Sequence, residues 1–166
     1  GGVTATQLIS PAMNLSGYSS ASLSFWHYYR DIGDTGDSAV VEVSTNGGSS
    51  WNIIQSYTTT LGTASGFVNA PAVNLNAYAG QASVTLRFRY RATNDWYWSI
   101  DNVSVTGAPL PSFSWTSTPS GFTSGVQNPT GVAVSANTVY QVSVSNGGCS
   151  DEATVTVNVD VTDSDG

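Results

Sequence analysis

The chain has 166 residues, with 11 acidic and 4 basic side chains giving a net charge of −7, and only 9% of its residues are charged. So acidic a chain repels phosphate wherever positive charge is not locally concentrated, which excludes nucleic-acid binding through an overall basic field. Hydrophobic residues at 40% and aromatics at 11% exclude a disordered chain and suffice for one core or two modest ones.

Ser, Thr, Gly, Val, Asn and aromatic residues dominate, while helix formers are scarce, so propensity predicts an all-β chain. Taken in order, period-two alternation predicts strands over 22–29, 38–44, 51–57, 84–91, 96–105, 131–134, 139–144 and 153–159. Asn46-Gly47-Gly48 predicts a hairpin turn between the second and third of these, and Asn146-Gly147-Gly148 another between the last two, because Asn and Gly accept positive φ cheaply.

An internal repeat stands out. Pro11-Ala12-Met13-Asn14-Leu15-Ser16-Gly17-Tyr18 matches Pro71-Ala72-Val73-Asn74-Leu75-Asn76-Ala77-Tyr78. After a three-residue slip, Ser22-Leu23-Ser24-Phe25 matches Thr85-Leu86-Arg87-Phe88. Two related halves in one antiparallel domain predict paired Greek keys, hence a jelly-roll sandwich. Gly107 and two prolines then break the patterning over 107–111, which reads as a linker between a domain over 1–106 and a smaller β domain over 112–159, followed by an Asp-rich tail at 160–166.

Several chemistries are absent from the residue set. There is no lysine for a Schiff base or a Walker-type phosphate clamp, and the single Cys149 has no partner within the chain, so it is free, buried or paired outside these residues. No apolar run approaches the roughly 18 residues of a membrane helix, and no leader pattern opens the sequence, so membrane insertion is not expected. His27 falls in the Leu23, Phe25, His27, Tyr29 register of a half-buried strand, and Glu42 alternates with valines as either a ligand or a solvent-facing residue. No nucleophile elbow, zinc-protease motif or positioned carboxylate pair occurs, so the chain is not expected to be an enzyme.

Two constellations remain. Asp31, Asp34 and Asp37, spaced by glycines, offer carboxylates and carbonyls for a structural Ca2+ ion, or else form an ordinary acidic turn cluster. Arg87, Arg89 and Arg91 occupy alternate positions of one strand and so share a face, while Trp26, Tyr28 and Arg30 form a mixed aromatic and basic row on another. Such rows, with Trp96 as a further aromatic, suit an anionic glycan: guanidinium forks take carboxylate or sulfate while rings stack on sugars. The alternative is an ordinary exposed sheet face finished by stacking and ion pairing.

The run Leu8-Ile9-Ser10-Pro11, Leu23 to Tyr29, Gly36 to Ser44, Asn46-Gly47-Gly48-Ser49-Ser50-Trp51 and Trp98-Ser99-Ile100-Asp101-Asn102-Val103 resembles the MAM-like and cleaved-adhesin jelly rolls of secreted bacterial proteins. The resemblance implies a non-catalytic adhesion or accessory module with a structural calcium ion to which Asp101 contributes; members of that family begin some tens of residues before the Leu8-Ile9-Ser10-Pro11 strand, so the 1–106 domain is expected to lack its leading strand. Phe113-Ser114-Trp115, Asn128-Pro129-Thr130, Asn137 to Val144 and Gly147-Gly148-Cys149-Ser150 resemble the second half of an Ig-like repeat common in bacteria with type IX secretion, in which an upstream cysteine partners the one at Cys149's place. The tail resembles the opening of a calcium-binding linker of the thrombospondin type 3 kind.

The expectation is therefore an all-β protein with an antiparallel jelly-roll sandwich and a smaller Ig-like segment. It would serve as an extracellular adhesion or accessory recognition module on the bacterial cell surface, partnered by flanking domains or neighbouring subunits. A carbohydrate-binding module for an anionic polysaccharide, or a structural subunit of a fibre, are the alternatives. Neither nucleic acid nor membrane insertion is expected.

Overall fold

A computed structural model describes residues 2–33, 36–93 and 97–160 of the chain. It divides into two units, Gly1–Ala108 and Pro109–Gly166, and every strand pair with a defined register is antiparallel.

The first unit is a β-sandwich. One sheet places β1 (Val3–Ile9) beside β7 (Thr85–Thr93), then β3 (Ser38–Ser44) and β4 (Asn52–Tyr57); in the other, β2 (Tyr18–Tyr29) pairs with β5 (Val68–Asn69), β6 (Val73–Asn74) and β8 (Trp98–Pro109). Alternation decides which side chains meet between the sheets. Leu23, Phe25 and Tyr29 from β2, Val41 and Val43 from β3, and Leu86 and Phe88 from β7 join a single core. The Phe25 and Phe88 rings, repeat equivalents of one another, meet edge to face at 5.1 Å in its middle.

The repeat is structural as well as sequential. In the first copy the Asn14 side chain accepts from Ser16 N and Tyr18 N donates to Leu15 O; in the second, Asn74 accepts from Asn76 N and Tyr78 N donates to Leu75 O. Each copy then fastens the strand region of the other. Leu75 N donates to Ala21 O, while Gly80 N donates to Leu15 O and Leu15 N to Gln81 O.

β8 carries one irregularity that matters. Asn102 has φ 51°, and Trp98 and Ile100 before it pack on the core along with Val105 after it. Unbroken alternation would turn Val105 outward, so the left-handed residue inserts the extra step that returns the strand's apolar side to the core. β8 continues through Gly107 and Ala108 to Pro109, so only Leu110 and Pro111 of the expected 107–111 linker lie between strands.

The second unit is a four-stranded sheet of β10 (Thr123–Ser124), β9 (Ser112–Thr118), β11 (Thr138–Asn146) and β12 (Cys149–Val157), in that order. Its register puts Trp115, Val142 and Ala153 on one face, and Thr116, Gln141 and Thr154 on the other. On the apolar face Tyr140 is buried against Phe122, and Trp115 Nε1 donates to Val126 O. The expected strand over 131–134 does not form, because no neighbour pairs with it; Val132 and Val134 instead line an apolar groove over this face. Both Asn-Gly-Gly segments are hairpin turns as expected, each with two glycines at positive φ. Cys149 is an exposed free thiol.

Candidate functional site

The arginine row occupies the outward face of the first unit's β1-β7-β3-β4 sheet, opposite in alternation to Leu86 and Phe88. Register sets its chemistry: Arg87 lies directly across from Glu42 on β3 and from Ile9 on β1, and Arg89 across from Gln7. Glu42 is buried and binds both guanidiniums. Arg87 Nε donates to Glu42 Oε2 at 2.6 Å, Arg89 Nε donates to the same oxygen at 3.1 Å, and Arg89 Nη2 reaches Oε1 at 3.1 Å. Burial alone would raise the Glu42 carboxyl, but the hydrogen bonds and charges of Arg89 and Arg87 outweigh it and hold it below its ordinary range. Arg91 is anchored separately, donating from Nη1 to Gly36 O at 3.2 Å.

Trp51 completes the array. The Arg87 guanidinium lies 4.2 Å from the centre of its ring. The turn before it must be glycine at Gly48, where φ is +87° and a Cβ would stand 3.2 Å from the Trp51 ring. Gln7, Ile9, Gly48, Trp51, Thr85 and Arg87 line a groove of about 330 Å³ here. Three arginines and one carboxylate leave the face with a local charge of +2 (3 − 1) on a chain of −7. Trp51 and Gln7 escaped the sequence reading, and Glu42's role was invisible there because the β3/β7 register is a long-range property.

The second row lies elsewhere. Because Phe25 and Phe88 face each other between the sheets, Trp26 and Tyr28 point away from Arg87 and Arg89, so the two rows sit on opposite outer faces and cannot grip one ligand together. Trp26 is 43% exposed, whereas Tyr28 is buried with its ring edge-on to Tyr97. Arg30 follows at the end of β2. Trp96 lies outside the described residues.

The acidic set is likewise divided. Asp31 Oδ1 accepts from Gly33 N, and Asp37 Oδ1 accepts from Thr93 N at 2.8 Å while its buried Oδ2 has no hydrogen-bond partner among the described residues. Asp34 lies outside the described residues. Asp101 is exposed on β8, its Oδ1 accepting from Asn102 N. Trp98 sits beside His27 and Ala108 beside Ser19, so Asp101 falls mid-strand along β2, about 20 Å of strand rise short of Asp31. Among the described residues no three acidic, His or Cys side chains converge. Of the expected calcium ligands, Asp37 fits an ion best, through its orphaned oxygen, and Asp101 is not placed with it.

His27 is fully buried rather than half-buried. Its Nδ1 accepts from Trp98 Nε1 at 3.2 Å, its ring lies 4.5 Å from that of Tyr57, and burial pushes its pKa down. It is a neutral core acceptor, closed to substrate.

No protein-family model matches the chain, and none of the curated proteins compared with it matches.

Proposed function

We propose that the chain is a non-catalytic extracellular adhesion or accessory recognition module of a larger secreted or bacterial cell-surface protein, with the arginine face as its contact surface. The observation that carries this reading is the Arg87–Glu42–Arg89 array beside Trp51. One buried carboxylate fixes two guanidiniums in advance, so a partner meets donors that have already lost their side-chain freedom. The same array favours a second reading, a carbohydrate-binding module for an anionic polysaccharide, since a +2 patch with a flanking groove suits carboxylated or sulfated sugars. The test is retention on sulfated and carboxylated polysaccharide gels. Arg91→Ala, which leaves the Glu42 cluster intact, and Arg89→Ala should both weaken retention if the ligand is an anionic glycan. Retention of neither wild type nor variants favours a protein contact, and equal retention of all three removes the arginine face from the glycan reading.

A structural calcium ion belongs to the same proposal. Asp37 and Asp31 would contribute to it, supported by the buried Asp37 Oδ2, which has no hydrogen-bond partner among the described residues. An ion that binds only the folded state stabilises it by about 2.7 kcal/mol at a hundredfold excess over its Kd. Melting of the protein with calcium and with chelator should therefore differ, and Asp37→Asn should abolish the difference. Identical midpoints reject the ion.

A further inference from the structure

The sandwich of the first unit is open along one side. All seven residues of β1 are exposed, and among the described residues its only neighbour in the sheet is β7. The pairing fixes which groups are used. Ser10 N donates to Leu86 O, so even-numbered residues turn their backbone groups towards β7, and Val3, Ala5, Gln7 and Ile9 turn theirs outward. The strand Val-Thr-Ala-Thr-Gln-Leu-Ile has no charge, proline or bulge, the devices that keep edge strands from pairing. Beside it a groove of about 510 Å³, lined by Leu8, Met13, Leu86, Phe88, Val103 and Val105, opens onto the core; Leu8 lies in register with the inward Phe88 yet is 57% exposed, and Val103 is 46% exposed.

We infer that this edge pairs with the β1 edge of a second copy of the chain, in antiparallel register about a two-fold axis through Thr6. The choice of a second copy rests on self-complementarity. An axis through Thr6 sets Val3 against Ile9 and Ala5 against Gln7, each pair in the closely hydrogen-bonded geometry, with exposed apolar residues opposed and no charged residue of β1 on the seam. Directly opposed residues share a face, so the exposed Val3 (55%) and Ile9 (46%) cover each other outside, while Thr4 of the second copy lies beside Leu8 at the mouth of the groove. β1 has no acidic residue, so its self-pairing opposes no carboxylates of the strand itself. Such pairing is isologous and closes as a dimer with a continuous eight-stranded sheet, not a filament. One seven-residue strand per copy buries less than the roughly 800 Å² per partner of a standard interface, so the dimer is weak.

Sedimentation of the chain from about 1 μM to about 1 mM, the range of weak association, should show a reversible monomer–dimer equilibrium. Ala5→Pro removes an outward donor and leaves the β1/β7 ladder intact, as edge strands allow. It should raise the dissociation constant at least about tenfold. Amide exchange of the wild type should show Val3, Ala5, Gln7 and Ile9 protected at the high concentration and open at the low one, a readout that stands even if the variant folds poorly. A monomer throughout, an unchanged equilibrium in a folded Ala5→Pro variant, or those four amides exposed in the dimer would overturn the inference.

Discussion

Glu42 holds two charges that would otherwise repel across a few ångströms, and its own charge lies beneath them. Glu42→Gln keeps the shape and removes the charge, leaving two guanidiniums without a counter-ion. A fully buried pair broken in this way costs about 3–5 kcal/mol. The arginine side chains here retain 18% and 33% exposure, so water compensates in part and a loss of about 2 kcal/mol is expected. The pH dependence has a definite sign. A carboxyl held below its ordinary 4.5 in the folded state binds fewer protons there than in the unfolded state, so its stabilisation is complete above pH 4.5 and is lost as pH falls through the folded value. Urea unfolding of wild type and Glu42→Gln should show a gap at neutral pH that closes in acid; a constant gap would show that charge is not its origin. Tyr57 offers the converse case. Its buried hydroxyl has no hydrogen-bond partner among the described residues, and burial pushes it up to about 12. A buried hydroxyl without a partner carries a desolvation cost of about 1–3 kcal/mol, so Tyr57→Phe should leave stability unchanged or raise it at neutral pH. It should also remove the destabilisation that sets in as pH rises from 10 towards 12, where the unfolded chain loses a proton that the folded chain keeps. A loss above about 1 kcal/mol at pH 7 would mean the hydroxyl has a partner, such as a buried water.

At the level of elements, β2 and β8 depend on one glycine. A Cβ at Gly107 would fall on the Ser20 carbonyl oxygen and within 2.9 Å of the Tyr18 ring, so the strands close at this end only because position 107 has no side chain. Gly107→Val should cost about 3 kcal/mol, the upper range for overpacking, read as a fall in the urea midpoint at unchanged slope; a cost below about 1 kcal/mol would show that the strand end moves freely. The sequence reading took this glycine as a linker signal, since Gly beside prolines has the same local signature whether it ends a strand or admits a close neighbour. Other elements divide along the same line between local and long-range causes. The repeat was legible because Asn-x-Ser and Asn-x-Asn turns followed by Tyr are written in adjacent residues, and both Asn-Gly-Gly hairpins for the same reason. Val132 and Val134 alternate like a strand but only line a groove, because a strand also needs a neighbour. The two rows expected to bind a ligand looked alike in sequence and occupy opposite faces, because which sheet a strand joins is decided tens of residues away. The parity change at Asn102 carries no local mark at all.

At the level of the whole molecule, the charge of −7 and the local +2 on the arginine face give the two proposed associations opposite responses to salt. Contact with an anionic polymer is an attraction between exposed charges, which weakens as the Debye length shrinks from about 10 Å at 0.1 M to about 3 Å at 1 M. Pairing of two β1 edges brings like-charged chains together, with arginine arrays of both copies on the same continuous sheet face. The attraction there comes from backbone hydrogen bonds and apolar contact, which salt leaves standing, while the repulsion is screened. Raising the salt from about 0.05 M to about 0.5 M should therefore release the protein from anionic gels and shift its sedimentation towards the dimer. If both associations weaken together, the self-contact is itself electrostatic and runs through the arginine face against the acidic surface of a second copy. Ala5→Pro would then leave sedimentation unchanged, and Arg91→Ala would alter both measurements.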